Sequence, residues 1–424
     1  MRVLVTGATG FIGQALERAL RARGHDVLPV SRTTRDGVQA DFSQVPPRAW
    51  WEPHLAGVDV VVNAVGILRE SGRQTFRTLH TDAPVELFHA CVAVGVKRIV
   101  QVSALGADQD ASSRYHLSKK AADDVLRALQ IASVIVQPSV VYGAAGASAG
   151  LFNKMAVFPL LPLPRGGDMA VQPVHVDDVV DGLVALVEQP ATGSRTIAFS
   201  GPQPLHLRDY LARLRRALGL ASGLRVMPIP ESLFRMAAAL AGRMPGSMLD
   251  AETAGMLLRG NAASDRDFAT LLGRSPRGVE RFIAAAEAEP LRRQAVLDLW
   301  LPVLRGAIGL VWVWTGIVSL GLYPVQDSYA LLARVGLHGV AATLALYGAA
   351  ALDLVLGVLT LAAPARWRPW VWAAQLLLIA GYTVLITLFL PEQWLHPYGP
   401  ISKNLPIMAA IALLWALEPP RRRS

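Results

Sequence analysis

The sequence predicts a doubly wound, parallel α/β sheet with a small α+β lobe, followed by an all-α bundle of four membrane-crossing helices. Three observations carry this reading. Short Val/Ile runs alternate with helical stretches over residues 1–150, the pattern loosens over 151–290, and long apolar segments appear over 299–418. Continuous β-branched runs mark strands buried on both faces, as in a parallel sheet covered by helices.

Residues 2–6, RVLVT, form the first strand. GATGFIGQALERALRARG follows as a glycine turn and a helix closed by Gly24. DVLPVS, VDVVVNAVG (58–66), KRIVQVSA (97–104) and ASVIVQPSVVYG supply further strands. Helices lie between them, one running through Leu87–Val94 and one over SKKAADDVLRALQ. Beyond these, VFPLLPLPRGGD (157–168) reads as an apolar Pro/Gly-rich loop, and VHVDDVVDGLVALVEQP restarts a helix. LRDYLARLRRALG and SLFRMAAALAGRM have the pattern of amphipathic helices. This lobe is expected over the C-terminal edge of the sheet.

In the last third, residues 306–326 and 369–391 carry no charge. Each is long enough to cross a hydrocarbon core of about 30 Å. Residues 335–363 are interrupted only by Asp353, and 404–417 form a shorter apolar run. Asp353 is expensive in lipid and is expected to face the bundle interior, with His338, Gln375 or Lys403 as partner. Four spans put both termini on one side. Arg292, Arg293, Arg305, Arg366, Arg368 and Arg421–Arg423 then share that side, with Arg334 and Lys403 opposite. The positive-inside rule makes the richer side cytoplasmic. The chain is therefore expected in the inner (cytoplasmic) membrane.

Composition agrees. Of 424 residues, 52% are hydrophobic and 17% charged, with mean hydropathy +0.36. The net charge of +9 reads as a membrane-surface signature, since no basic stripe with interleaved aromatics suggests nucleic acid. Cys91 is the only cysteine, which excludes an internal disulfide and a cysteine-based metal site. MRVLVTGATG enters a strand at once and lacks the features of a signal peptide.

VTGATGFIG places Gly7, Gly10 and Gly13 three residues apart, directly after a strand and at the start of a helix. There the backbone can approach a pyrophosphate closely, and the helix N-terminus offers free N–H groups. With NAVGIL (63–68), VSALGAD (102–108), YHLSK, QPSVVYG (137–143) and PVHVDDV (173–179) in order, the chain resembles the extended and atypical short-chain dehydrogenase/reductases. It is most similar to the group that includes the NADPH-binding accessory subunit of respiratory complex I, down to LLGRSPRGVERFI (271–283). The resemblance implies a Rossmann core over 1–150 and a substrate lobe over 151–290. It implies cofactor contacts from Thr6, Gly7, Thr9, Gly10, Phe11, Ile12, Gly13, Asn63, Ala64, Val65, Gly66 and Lys119. Asp41 resembles the position that contacts the adenine. Where an acid would take the ribose hydroxyls stand Ser31 and Arg32, with Arg35 close by. Guanidinium groups suit a 2′-phosphate, so NADP(H) is expected ahead of NAD(H).

Tyr115 and Lys119 lie one helical turn apart and share a face. Lysine's charge would lower the tyrosine pKa, letting it exchange a proton with a carbonyl oxygen. Ser103, at the end of the preceding strand, would hold that oxygen. The resemblance makes Ser103, Tyr115 and Lys119 the catalytic trio. Gln137 stands where the extended family commonly has arginine, which loosens analogy with sugar-nucleotide epimerases. His175, Asp177 and Asp178 lack a second histidine at ligand spacing, so acids capping a helix are expected there rather than a metal.

Residues 299–418 resemble the DoxX-like family, through LVWVWTGIVSL (310–320) and HPYGPISKNLPIMAAIALLWALE (396–418). The combined expectation is a membrane-anchored oxidoreductase acting on a carbonyl, alcohol or quinone-like apolar substrate. VFPLLPLP (157–164) either admits that substrate or packs as a loop. The alternatives are a nucleotide-binding module that stabilises a membrane complex without turnover, and a sugar-nucleotide epimerase or dehydratase.

Overall fold

The computed structural model describes residues 1–190, 192–243 and 249–418. It forms two compact units, Met1–Ala295 and Val296–Ser424. The first is built on strands β1 (Arg2–Thr6), β2 (Asp26–Ser31), β3 (Val38–Gln39), β4 (Val60–Asn63), β5 (Arg98–Val102) and β6 (Ala132–Pro138). Short strands β7 (Val141–Tyr142), β8 (Leu161–Pro164), β9 (Ala170–Val171) and β10 (Val174–His175) precede β11 (Ser194–Phe199). The last two are β12 (Leu205–His206) and β13 (Val226–Ile229). Among the described residues, seven strands form one parallel sheet in the order β11-β6-β5-β4-β1-β2-β3. Strand order reverses between β1 and β4, and such a switch point opens a crevice at the strands' carboxyl ends.

Helices α1 (Phe11–Ala22), α2 (Arg48–Trp51), α3 (Ala83–Val94), α4 (Arg114–Ala128), α5 (Ala147–Val157) and α6 (Val176–Glu188) follow the chain. Leu16 and Leu20 of α1 and the valines of α6 fill one sheet face. Leu87, Phe88 and Cys91 of α3, with Ala122 and Leu126 of α4, fill the other. The lobe adds α7 (Leu207–Ala217), α8 (Glu231–Ala241), α9 (Ala251–Arg259) and α10 (Arg266–Leu272).

Two local expectations change here. The apolar stretch after α5 is not a loop: β8 pairs in parallel with β13, and Leu161 and Leu163 are buried in the lobe core. Proline hides both strands from sequence reading, because it removes ladder donors. Helix α8 is not amphipathic in the expected way. Only Phe234 and Ala238 are buried, and Leu233, Met236 and Leu240 face outward.

The second unit holds α12 (Val325–Arg334), α13 (Gly339–Ala362), α14 (Arg368–Phe389) and α15 (Asn404–Ala416), after α11 (Ala285–Ile317), within which the two units divide. Among the described residues, three helices are long and apolar enough to cross a membrane: Ala285–Leu322, Gly339–Ala362 and Arg368–Phe389. The expected fourth span is shorter. The 13 residues of α15 rise only about 20 Å. Arg305 and Arg368 both pair with Glu418, while Arg334 pairs with Glu392. Arg421–Arg423 lie outside the described residues.

Asp353 is buried, but no hydrogen bond or ion pair among the described residues joins it to His338, Gln375 or Lys403. Its Oδ1 has no hydrogen-bond partner among the described residues. Gln375 donates instead to Thr360 Oγ1 at 2.5 Å. Thr360 lies about two turns along α13 from Asp353.

Candidate active site

The glycine turn sits between β1 and β4, at the switch point. Gly7 has φ +68°, and a Cβ there would stand 2.8 Å from Ala64 O. A Cβ on Gly13 would stand 2.1 Å from Gly7 O, so α1 approaches the turn as only glycine permits. Gly10 donates to Gly7 O at 2.8 Å and occupies the N-cap of α1 without a side-chain cap. Thr9 is exposed, and Ile12 is half-buried. The Phe11 ring lies where a Cβ on Gly143 or Gly146 would be. The first N–H groups of α1 therefore remain open to an anion.

A buried ladder ties the strand ends together. Thr6 Oγ1 donates to Asn63 Oδ1 at 2.5 Å, and Asn63 Nδ2 donates to Gln101 Oε1 at 2.7 Å. Ala64, Val65 and Gly66 continue from Asn63 around the crevice. Lys119 reaches this loop from α4, donating to Val65 O and Val102 O, each at 3.1 Å. A Cβ on Gly66 would sit 3.2 Å from Lys119 Nζ. Sequence and structure thus bring Thr6, Gly7, Asn63–Gly66, Lys119 and the end of β5 into one place.

At the tip of β2, Ser31 is buried and accepts from Thr33 N–H at 3.3 Å. Arg32 and Arg35 are exposed, and neither makes an ion pair with a described residue. Asp41 is already engaged, accepting from Ser43 N–H at 3.0 Å as the cap of residues 42–44.

Ser103, next to β5, donates to Asp123 at 2.5 Å. Asp123 is fully buried, one turn along α4 from Lys119, and its other oxygen has no partner among the described residues. Burial pushes the Asp123 carboxyl up and the Lys119 ammonium down, to about 6 and about 8, with each one's charge opposing the other's shift. The sequence reading missed Asp123, although its spacing of four from Lys119 was visible.

Tyr115 opens α4, and its backbone N–H is held by Glu252 at 2.7 Å. Its ring packs edge-on against Phe76, His80 and His116. The expected lowering of its pKa is not found. Burial pushes it up to about 12, and the Lys119 ammonium rests on the Val65 and Val102 carbonyls. His80 was also missed. Its Nε2 accepts from Ile67 N–H at 3.0 Å, so Nδ1 carries the proton toward Ser118 Oγ at 2.9 Å. Ser118 Oγ donates in turn to Tyr115 O at 2.7 Å. Burial, then the Lys119 charge, holds His80 down at about 2. Beside Tyr115, a cavity of about 530 Å³ is lined by Arg114 and His116 from α4 and by Asp250, Glu252 and Arg259 from the α9 side.

The histidine that ends β10 and the acids after it also differ from expectation. His175 itself caps α6, accepting from Asp177 N–H. Asp177 pairs with Arg277, and buried Asp178 with Arg274, fastening residues 274–277 to the helix. Two arginines so close draw the carboxylates away from the helix N–H groups.

Comparison with known proteins fits this geometry. Residues 3–199 match the NAD dependent epimerase/dehydratase family, and residues 309–412 match the DoxX-like family. The "3-diazoavenalumate denitrifying reductase" of a Streptomyces species is 32% identical over 309 residues, covering 65% of this chain and 96% of that protein. The chain belongs to the NAD dependent epimerase/dehydratase family. This family domain is followed by the DoxX-like helical region, making the whole a membrane protein with an NAD(P)-binding domain.

The "ceramide reductase" of Caulobacter vibrioides is 31% identical over 202 residues, covering 45% of this chain and 62% of that protein. Subunit 9 of the NADH dehydrogenase [ubiquinone] 1 alpha subcomplex of Mus musculus is 28% identical over 223 residues, covering 49% of this chain and 59% of that protein. Of these two relatives the chain thus spans about three-fifths. In fold, the family domain is similar to a nucleoside-diphosphate-sugar epimerase from Staphylococcus aureus. The TM-score is 0.54 at 19% identity, over 66% of this chain and 99% of that one.

Proposed function

We propose that the protein is a membrane-held, NADP(H)-dependent reductase of an apolar carbonyl compound. The observation that carries this is Tyr115 at the first turn of α4, with Lys119 one turn on and buried against the nucleotide loop. The uncapped start of α1 and the glycine-only contacts at Gly7 and Gly13 fit a dinucleotide pyrophosphate. Arg32 and Arg35, beside Ser31, would hold a 2′-phosphate. When bound, the nicotinamide supplies a hydride. Tyr115 gives its phenolic proton to the carbonyl oxygen as carbon is reduced. Ser103 orients that oxygen, and Asp123 fixes the Ser103 hydroxyl. Lys119 would stabilise the tyrosinate left behind once its ammonium turns from the Val65 and Val102 carbonyls toward Tyr115.

The similarity to reductases, one of them named for a lipid, supports an apolar substrate. The ion pairs of Arg305 and Arg368 with Glu418, and of Arg334 with Glu392, support a bundle whose arginine-rich end faces the cytoplasm. A second reading is a nucleotide-binding module without turnover. It is favoured by the Lys119 ammonium lying on carbonyls rather than toward Tyr115, and by the similarity to the respiratory subunit.

The test is NADPH oxidation by the full chain in detergent, offered short-chain quinones and long-chain carbonyl compounds including a 3-keto-sphingoid and an N-acyl amide. Tyr115→Phe is run beside it. Turnover should fall about 10²- to 10⁴-fold while NADPH still binds. Unchanged turnover in Tyr115→Phe removes the tyrosine from the chemistry.

A further inference from the structure

Helix α8 is apolar on two sides. Phe234 and Ala238 point into the lobe, while Leu233 (45% exposed), Met236 (56%) and Leu240 (54%) project outward. At about 100° per residue these three fall within about 60° of one another. Ala237 joins the same face and is also exposed. A surface helix with an apolar outer stripe requires something to cover it. Beside α8, where β8 and β13 pair, Leu160 (46%) and Met227 (45%) are exposed as well.

We propose that the outer face of α8 is a docking surface for an anionic lipid bilayer. Two observations identify the occupant. First, the chain carries helices that cross a membrane, so a bilayer is always within its reach. Second, cations attend the apolar face: Arg225 precedes β13, Arg235 lies on α8, and Arg243 follows it, all exposed. Among described residues only Arg235 has an acidic partner, Glu231 at 3.9 Å, and Glu231 is also held by Arg165. Apolar side chains flanked by arginines suit the boundary between acyl chains and negative headgroups.

The surface bears on the site without touching it. Helix α8 packs on α9, and Glu252 of α9 holds the Tyr115 N–H. Arg69, after β4, donates to Gly242 O at the end of α8. A substrate drawn from the bilayer beside α8 meets the cavity lined by α9 and the start of α4. This last step rests on the proposed reaction; the docking itself does not.

The test uses the full chain in vesicles of phosphatidylethanolamine and phosphatidylglycerol. Leu233→Cys, Met236→Cys and Leu240→Cys carry nitroxide labels, with Ala128→Cys, exposed on α4, as the aqueous reference. Native Cys91 is fully buried and stays unlabelled. NADPH binding checks that each variant is folded. Relaxation by oxygen against a water-soluble nickel chelate reads depth. The three α8 labels should favour oxygen several-fold over the Ala128 label. That preference should shrink when phosphatidylcholine replaces the anionic lipid. Aqueous behaviour at all three positions overturns the proposal. Spin–spin broadening that vanishes on dilution with unlabelled protein also overturns it, by showing a second copy on the face. Neither readout depends on turnover, so failure of the reductase reading leaves this result intact.

Discussion

Replacing Gly13 by alanine should damage nucleotide binding before it damages anything else. The added Cβ would sit 2.1 Å from Gly7 O and 2.8 Å from Gly7 C, where about 3.0 Å is the floor for real contacts. Backbone has to yield by about 0.9 Å, since neither atom belongs to a flexible side chain. Overpacking of this kind costs roughly 1–3 kcal/mol. The shift falls on the turn that places the first N–H groups of α1, and Gly10 loses its 2.8 Å bond to Gly7 O. If about 1.4–2.8 kcal/mol of this appears in binding, the NADPH Kd rises roughly 10- to 100-fold. Fluorescence titration of the full chain with NADPH measures that change, and a thermal melt without nucleotide measures the strain. Gly150→Ala is the control, because nothing lies within 4 Å of its added Cβ. A Gly13→Ala protein with unchanged Kd and unchanged Tm would falsify the placement of the nucleotide at this turn.

Reduction should slow as pH rises through about 8, where Lys119 loses the charge that stabilises the tyrosinate; Tyr115, pushed up to about 12, stays protonated throughout. Asp123→Asn removes the neighbouring charge that supports the Lys119 proton, so the same fall should move to lower pH; identical rate profiles for the two proteins contradict this. Arg32→Ala with Arg35→Ala should weaken NADPH by about 10-fold or more and leave NADH unchanged, a difference that paired titrations resolve. Asp353→Leu should raise the Tm of the detergent-solubilised chain, because it removes a buried carboxyl whose Oδ1 lacks a partner. A lower Tm there would mean that the carboxyl is held by an interaction the helices do not display.

The parallel sheet was legible because its strands are runs such as VLV, VVV and IVQV, buried on both sides. The glycine turn was legible because three positions without side chains, Gly7, Gly10 and Gly13, in fixed spacing have one steric use. What escaped was set by contacts between distant segments. Nothing near His80 announces that its ring will reach Ile67 and Ser118. Proline in β8 and β13 made a strand pair look like a loop. Hydropathy alone located the apolar helices but not the break at Gly321, φ +138°, or helix α12 after it. Lys119 was placed correctly on its helix face, yet its direction depended on two carbonyls that no spacing rule could supply.

The chain of bonds from Ile67 through His80 and Ser118 to the Tyr115 carbonyl has a consequence for how the site keeps its shape. Each link has one sense: Ile67 N–H gives to the ring, the ring gives to Ser118, and Ser118 gives to the carbonyl. With the ring held neutral down to about pH 2, no ordinary acidity can reverse any link. The loop after β4 and the helix that carries the tyrosine are thus fastened by a strut indifferent to pH. Whatever titrates during turnover can do so a few ångströms away while the strut remains the fixed frame against which protons move.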